Sequence, residues 1–137
     1  MGAFHTNCDV ANILNRVKSA TLSKALVDTG REYTWVPMEV LDRLNIQREK
    51  KDVTLVMANG QRVTRSIGFA IVAVGEEFTV DEVVFAEPGD LLLLGARTLE
   101  GLNLTVDPRG KKLVASGPPP AAAPPKAGRG RTKRRRK

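Results

Sequence analysis

The chain has 137 residues, a formal net charge of +7 and 4% aromatic residues, so its core must be built mainly from aliphatic side chains. Its single cysteine, Cys8, excludes an internal disulfide and is compatible with a reducing cytoplasm, which is the location we expect. No apolar run approaches the roughly 20 residues of a membrane-spanning helix, so we expect no membrane partner.

Short β-branched runs separated by turn signals predict a mostly β domain. Asn59-Gly60 is a strong hairpin signal between two such runs, and Gly75 begins the turn of a second hairpin. The hydrophobic alternation slips after Val80, which predicts a bulge near Asp81. In chain order, the predicted elements are strand 21–27, a short helix opened by Pro37, strands 53–58 and 61–64, strands 67–74 and 78–85, strand 91–94 buried on both faces, a short helix over 96–100, and strands 102–106 and 111–114.

The positive charge belongs to the C-terminal end of the chain. Residues 126–137 hold eight of the 22 basic residues, which leaves 14 basic against 15 acidic side chains in residues 1–125. Residues 116–137 are rich in proline and alanine and lack apolar periodicity, so we predict a folded domain over 1–115 and a disordered tail over 116–137. Such a basic end is typical of nonspecific contact with nucleic acid phosphates. A solubilising tail without a dedicated partner is an equally open interpretation.

Three features of the domain can carry chemistry together. The carboxylate of Asp28 follows an apolar strand and precedes Thr29 and Gly30, of which the glycine permits a tight turn. The hairpin turn at 59–60 is a candidate lid, and the apolar run ending at 92–95 leads into the second short helix. Taken singly, Asp-Thr-Gly is a common turn and Asn-Gly a common hairpin, so the interpretation depends on their order along the chain.

That order and spacing resemble the retropepsin-like aspartic proteases, in particular small bacterial members with one Asp-Thr-Gly per chain. The resemblance implies a mostly β fold: a closed barrel or sandwich with one or two short helices, acting as a homodimer. It covers residues 1–114 and includes, in order, segments 1–4, 25–30, 44–46, 67–68, 83–85, 94–95 and 104–108.

The function implied by this resemblance is that of a homodimeric aspartic endopeptidase. Two copies of Asp28 would share a proton and activate a water, with no metal or cofactor. Thr29 would hydrogen-bond across the two-fold axis, and Gly30 would offer its carbonyl to the peptide substrate. Residues 57–61 would form a flap that closes over the substrate. The residues implied to bind substrate are Arg31, Glu32, Met57, Ala58, Asn59, Gly60, Leu94 and Gly95.

Arg31 departs from the pattern of active relatives, which usually place alanine or serine directly after Asp-Thr-Gly. A cation at this position favours ionised carboxylates and crowds the substrate. A second interpretation therefore stays open: a catalytically silent, dimeric peptide-binding or scaffold module that residues 126–137 tether to nucleic acid. Trp35 is expected in the core or at the dimer contact.

Overall fold

A computed structural model describes residues 4–122 of the chain. It is 51% strand and 11% helix, which confirms the mostly β prediction. The predicted basic segment 126–137 lies outside the described residues. The strands are β1 (Phe4–Ala11), β2 (Ser19–Val27), β3 (Thr34–Pro37), β4 (Lys50–Val56), β5 (Arg62–Val74), β6 (Glu77–Ala86), β7 (Leu93–Leu94), β8 (Leu104–Asp107) and β9 (Lys112–Ala115), and the helices are α1 (Met38–Arg43) and α2 (Ala96–Leu102).

The main sheet closes on itself. Its strand order is β1-β2-β7-β3-β6-β5-β4, and an additional antiparallel pairing of β1 with β5, from Asp9 opposite Ala73 to Ala11 opposite Ile71, joins the two sides. Closure leaves few unpaired backbone groups, because the inner strands have neighbours on both sides. The first half of β5 pairs with β4 instead, so these two strands form a hairpin that extends beyond the barrel.

Aliphatic side chains fill the interior of the barrel, as the low aromatic content requires. Val10, Val36, Val72, Val83 and Leu94 are fully buried and belong to one cluster, which α1 covers with Leu41. A second cluster joins Trp35, Ile67, Val84, Ala86 and Leu93, and the half-buried apolar residues of the β4–β5 hairpin pack against it.

Several predicted elements differ from the structure. β1 was not predicted, because its outward-facing positions are polar and its inward-facing Cys8 and Val10 make only a short alternation. The two strands predicted over 61–64 and 67–74 are the single strand β5. The bulge predicted near Asp81 is wrong, since the β5–β6 register continues without a break from Val84 to Glu77. The alternation slips because Phe78 and Val80 are exposed on the outer face, whereas Val83 and Phe85 belong to the barrel core on the inner face.

The apolar run 91–94 is only partly a strand. β7 contains its last two residues, and the Leu91 side chain is 63% exposed, contrary to the predicted burial on both faces. The short helices near Pro37 and after Gly95 are present as α1 and α2. β9 ends at Ala115, and hydrogen bonds with Asn103 hold Ser116 and Gly117 against the end of α2.

Candidate active site

The end of β2 places the carboxylate of Asp28 at the rim of the barrel. β2 pairs in parallel with β7, and one residue beyond this pairing the Asp28 N–H donates to the Leu94 carbonyl at 3.1 Å. The Gly30 N–H donates to Asp28 Oδ1 at 2.9 Å, which fixes the rotation of the carboxylate. A Cβ atom at position 30 would lie 3.2 Å from the same oxygen, so the turn leaves little room for a side chain.

The loop after Gly30 is anchored on the start of α2. The Ala96 N–H donates to the Arg31 carbonyl at 2.6 Å, and the Arg97 N–H donates to the Glu32 carbonyl at 3.2 Å. A Cβ atom at Gly95 would collide with the Tyr33 carbonyl and lie 2.6 Å from that of Glu32, so this crossing requires glycine. The predicted residues Leu94 and Gly95 therefore support the loop through their backbone instead of lining the cleft.

A buried pair of hydroxyls completes this anchor. The Gly95 N–H donates to Thr34 Oγ1 at 3.0 Å, and Thr34 Oγ1 is hydrogen-bonded in turn to Thr98 Oγ1. Thr98 Oγ1 donates to Asp81 Oδ2 at 3.1 Å. Because both threonines are buried, these bonds satisfy polar groups that would otherwise destabilise the fold. This series of hydrogen bonds links β3, β6 and α2 beneath the Asp28 loop.

Asp28 lines a cleft of about 200 Å³ between the β4–β5 hairpin and the residues before β7. Two predicted flap residues, Met57 and Ala58, line this cleft, whereas Asn59 and Gly60 lie at the hairpin turn outside the lining. Asn59 Oδ1 accepts the Gln61 N–H at 2.8 Å and so closes the turn. The full lining is Asp28, Arg31, Trp35, Val56, Met57, Ala58, Leu91 and Leu93.

Arg31 shares the cleft with Asp28 without being tightly paired to it. Its Nε atom lies 3.9 Å from Asp28 Oδ2, beyond hydrogen-bonding distance, and the two side chains are 40% and 36% exposed. The backbone of Glu32 belongs to the anchor on α2, while the Glu32 side chain is exposed and is not part of the lining. Thr29 is also exposed.

A second arginine–aspartate pair holds the turn directly before Leu91. Arg65 on β5 donates from Nε to Asp90 Oδ2 at 2.8 Å and from Nη2 to Asp90 Oδ1 at 3.0 Å. Asp90 Oδ2 also accepts the Glu87 N–H at 2.8 Å, which closes the turn before Leu91. The hydrogen bonds with Arg65 hold the pKa of Asp90 below its ordinary value and raise the pKa of Arg65.

Four residues of the cleft were not among the predicted site residues: Trp35, Val56, Leu91 and Leu93. Trp35 was predicted as core or dimer contact, and it is buried while presenting part of its surface to the cleft. Leu91 and Leu93 belong to the apolar run whose alternate members, Leu92 and Leu94, pack with the barrel core instead. Because all four residues of the run are leucine, the sequence holds no signal that separates the pair facing the cleft from the pair facing the core.

Neither a cluster of metal ligands nor a membrane-spanning helix is present in the part of the chain that the structure describes. No group of three or more His, Cys, Asp or Glu side chains lies there in an arrangement that would hold a metal ion. Over the same residues, 4–122, no helix is long and apolar enough to cross a membrane.

Comparison with known proteins gives the family. A comparison with curated proteins found no significant match. Residues 16–101, more than half of the chain, match the family model described as "gag-polyprotein putative aspartyl protease". The matched segment runs from the turn before β2 to α2, and so contains Asp28, the β4–β5 hairpin and β7. The chain therefore belongs to this family of retropepsin-like aspartyl proteases.

Proposed function

We propose that the chain is a homodimeric aspartic endopeptidase whose active site joins Asp28 of two subunits. The observation that carries this proposal is the single carboxylate at the cleft. Among residues 4–122, Asp28 is the only acidic side chain that lines it. Aspartic protease chemistry needs two carboxylates with different protonation states. One chain supplies one, so a second copy must complete the site.

In the proposed mechanism the two Asp28 carboxylates share one proton, because like charges a few ångströms apart resist simultaneous ionisation. The ionised member acts as general base on a water molecule. The protonated member donates to the carbonyl oxygen of the scissile peptide bond as it becomes tetrahedral. The hydrogen bond from the Gly30 N–H to Asp28 Oδ1 supports this role, since it holds the carboxylate in one orientation before substrate arrives.

The substrate in this proposal is an extended peptide lying between the β4–β5 hairpin and the floor of the cleft. Met57 and Ala58 cover it from the hairpin, and Trp35, Leu91 and Leu93 offer apolar surface to its side chains. Closure of the hairpin tip, residues 57–61, excludes water from the reaction. Thr29 and Gly30, both exposed in one chain, contact the partner subunit and the substrate backbone respectively.

The test is cleavage of a diverse peptide mixture by the wild type and by Asp28→Asn across about pH 4 to 7, where a carboxylate pair can hold one proton. We expect the wild type to cleave and the variant to lose at least about 10³-fold in rate, as removal of a catalytic group does in other hydrolases. Mass spectrometry of the products measures both the rate and the cleaved bonds.

Asp52→Asn is the matched control, since Asp52 is an exposed aspartate on β4 that does not line the cleft. It should keep the wild-type rate. Sedimentation velocity must show that all three proteins have the same oligomeric state. Cleavage by Asp28→Asn at the wild-type rate, or by a strictly monomeric wild type, contradicts the proposal.

A second function is favoured by Arg31. Its side chain lines the cleft with the Nε atom 3.9 Å from Asp28 Oδ2, where it crowds a peptide at the carboxylate, which suits a peptide-binding module better than an enzyme. In this form the basic residues of 126–137 tether the dimer to nucleic acid. Two results together identify this function. The dimer binds peptides without cleaving them, and truncation after Ala115 removes its salt-sensitive retention on DNA.

A further inference from the structure

The Arg31 guanidinium differs from the other ion-paired arginines of the domain. Arg48, Arg65 and Arg97 lie 2.6, 2.8 and 3.2 Å from their carboxylate partners Asp42, Asp90 and Glu82. The nearest carboxylate oxygen to Arg31 is 3.9 Å away, and within residues 4–122 its side chain donates no hydrogen bond. The N–H groups of the Arg31 guanidinium are therefore available as hydrogen-bond donors, and Arg31 lines the cleft.

Among the described residues, the apolar lining of the cleft offers Arg31 no other hydrogen-bond partner, and this disfavours binding of a ligand that does not supply one. Apart from Asp28, every residue that shares the cleft with Arg31 is apolar: Trp35, Val56, Met57, Ala58, Leu91 and Leu93. A peptide filling the cleft displaces water from the Arg31 side chain, which is 40% exposed. A cation desolvated without a hydrogen-bonding anion disfavours binding.

Asp28 is poorly placed to be that anion. Its Oδ1 atom already accepts the Gly30 N–H, and its Oδ2 atom is beyond hydrogen-bonding distance from Arg31. In the proposed reaction the same carboxylate also binds a water and shares a proton with its symmetry mate. A carboxylate carried by the ligand is the simplest remaining partner for Arg31.

We propose that Arg31 selects peptides with a glutamate or aspartate side chain next to the scissile bond. This inference rests on the proposed function, because it takes the cleft to be the peptide site. The acidic side chain of the peptide is placed beside the bond because Arg31 Nε lies 3.9 Å from Oδ2 of Asp28, the carboxylate that activates the attacking water. In a two-fold symmetric dimer a second Arg31 lies on the opposite side, so acidic residues are preferred on either side of the bond.

The first arm of the experiment measures cleavage. Pools of eight-residue peptides carry a fixed glutamate at one position or the isosteric glutamine, with the other positions randomised. Wild type should cleave the glutamate pools about 10- to 100-fold faster, the range of one charge-assisted hydrogen bond. Arg31→Gln should lose this ratio, Arg31→Lys should keep part of it, and Arg31→Glu should shift the preference to lysine pools.

The second arm measures binding without chemistry. Asp28→Asn, labelled for fluorescence anisotropy, is titrated with the same pools beside the double variant Asp28→Asn/Arg31→Gln. The single variant should bind glutamate pools about 10-fold or more tightly than glutamine pools, and the double variant should bind both equally. Circular dichroism of each variant confirms that the fold is retained, and Arg31→Lys serves if Arg31→Gln does not fold.

The outcomes separate the two proposals. Cleavage with no glutamate preference in either arm overturns the role of Arg31 and leaves the peptidase standing. Absence of cleavage together with an Arg31-dependent glutamate preference in binding removes the peptidase and keeps the specificity of the cleft. A preference that persists in Arg31→Gln places the selecting group elsewhere and overturns the inference.

Discussion

Two aspartate–arginine pairs, one holding the turn before Leu91 and one lining the cleft, differ in almost every physical respect. Asp90 and Arg65 are joined by two short hydrogen bonds, and their side chains are 8% and 13% exposed. Asp28 and Arg31 are 3.9 Å apart, and each is more than a third exposed. The first pair satisfies its own charges, whereas the second leaves both charges open to solvent.

This difference indicates two roles. The pair of Arg65 and Asp90 stabilises the turn before the cleft, and the pair of Asp28 and Arg31 is available to a ligand. A buried bidentate pair loses much when either member is removed, because the other charge stays behind without a partner. A long, exposed pair contributes little to folding, so its positions are free to serve binding or catalysis. Arg65 and Asp90 therefore position Leu91 and the start of β7, and Asp28 and Arg31 line the cleft that we propose to bind the substrate.

The largest expected effect on stability is that of Asp90→Asn. It leaves the Arg65 side chain, which is 13% exposed, with the half-exposed Glu87 carboxylate at 3.6 Å and the Thr64 carbonyl at 3.0 Å as its remaining partners. We expect the free energy of unfolding to fall by about 2 to 3 kcal/mol, as when one member of a buried pair is removed. Urea unfolding followed by Trp35 fluorescence measures the change.

Asp42→Asn is the matched control for this substitution. Asp42 is also hydrogen-bonded to an arginine, Arg48 at 2.6 Å, but its side chain is 49% exposed. An exposed pair of this kind contributes about 0 to 1 kcal/mol. Equal losses for the two variants would remove the structural role assigned here to the pair formed by Arg65 and Asp90.

The next effect is on the acid dependence of stability. The hydrogen bond from Arg65 lowers the pKa of Asp90 in the folded state, relative to about 3.9 in the unfolded chain. The contribution of ionised Asp90 to the free energy of unfolding is therefore fully present above its pKa in the unfolded chain. It is lost as pH falls through the lower pKa of the folded state. Asp90→Asn should flatten the decline of unfolding free energy between about pH 5 and 2.

Salt distinguishes this contribution from that of Asp42, whose pKa is lowered in the same direction by its hydrogen bond with Arg48. Salt screens the exposed pair more than the buried one. In 0.5 M salt, on the order of five times the concentration that gives a 10 Å screening length, Asp42→Asn should no longer change the acid slope. Asp90→Asn should still change it, and a full loss of both contributions would place Asp90 in a solvated environment.

The sequence alone predicted those features of the cleft that depend on the order of neighbouring residues. An apolar strand ending in Asp28 and a turn glycine, followed by a hairpin and a second apolar run, predicted the mostly β fold and the family. These signals are local because strands and hairpins are encoded over a few residues each.

Contacts between distant segments were not predictable in the same way. Arg65 and Asp90 are 25 residues apart, and nothing near either residue marks them as partners. The polar residues around Arg65 led to the prediction of two strands, although β5 continues through them, with Arg65 opposite Val53 of β4 and its side chain hydrogen-bonded to Asp90. The exposure of Leu91 likewise depends on the turn that this pair holds, and not on the apolar run in which it lies.

The smallest expected effect on stability is that of Arg31→Gln, and its smallness is informative. The substitution removes a charge that makes no hydrogen bond within residues 4–122 and is 40% exposed, so the free energy of unfolding should change by no more than about 0.5 kcal/mol. The Arg31 carbonyl still accepts the Ala96 N–H, because that bond belongs to the backbone.

Urea unfolding of Arg31→Gln beside Asp90→Asn measures the smallest and the largest expected loss of stability in one experiment. A loss above about 1.5 kcal/mol would mean that the Arg31 side chain holds the Asp28 loop as Arg65 holds the Asp90 turn. A stable Arg31→Gln protein with altered peptide selectivity is the combination expected of a residue that faces the ligand, since a charge that folding does not use remains available for recognition.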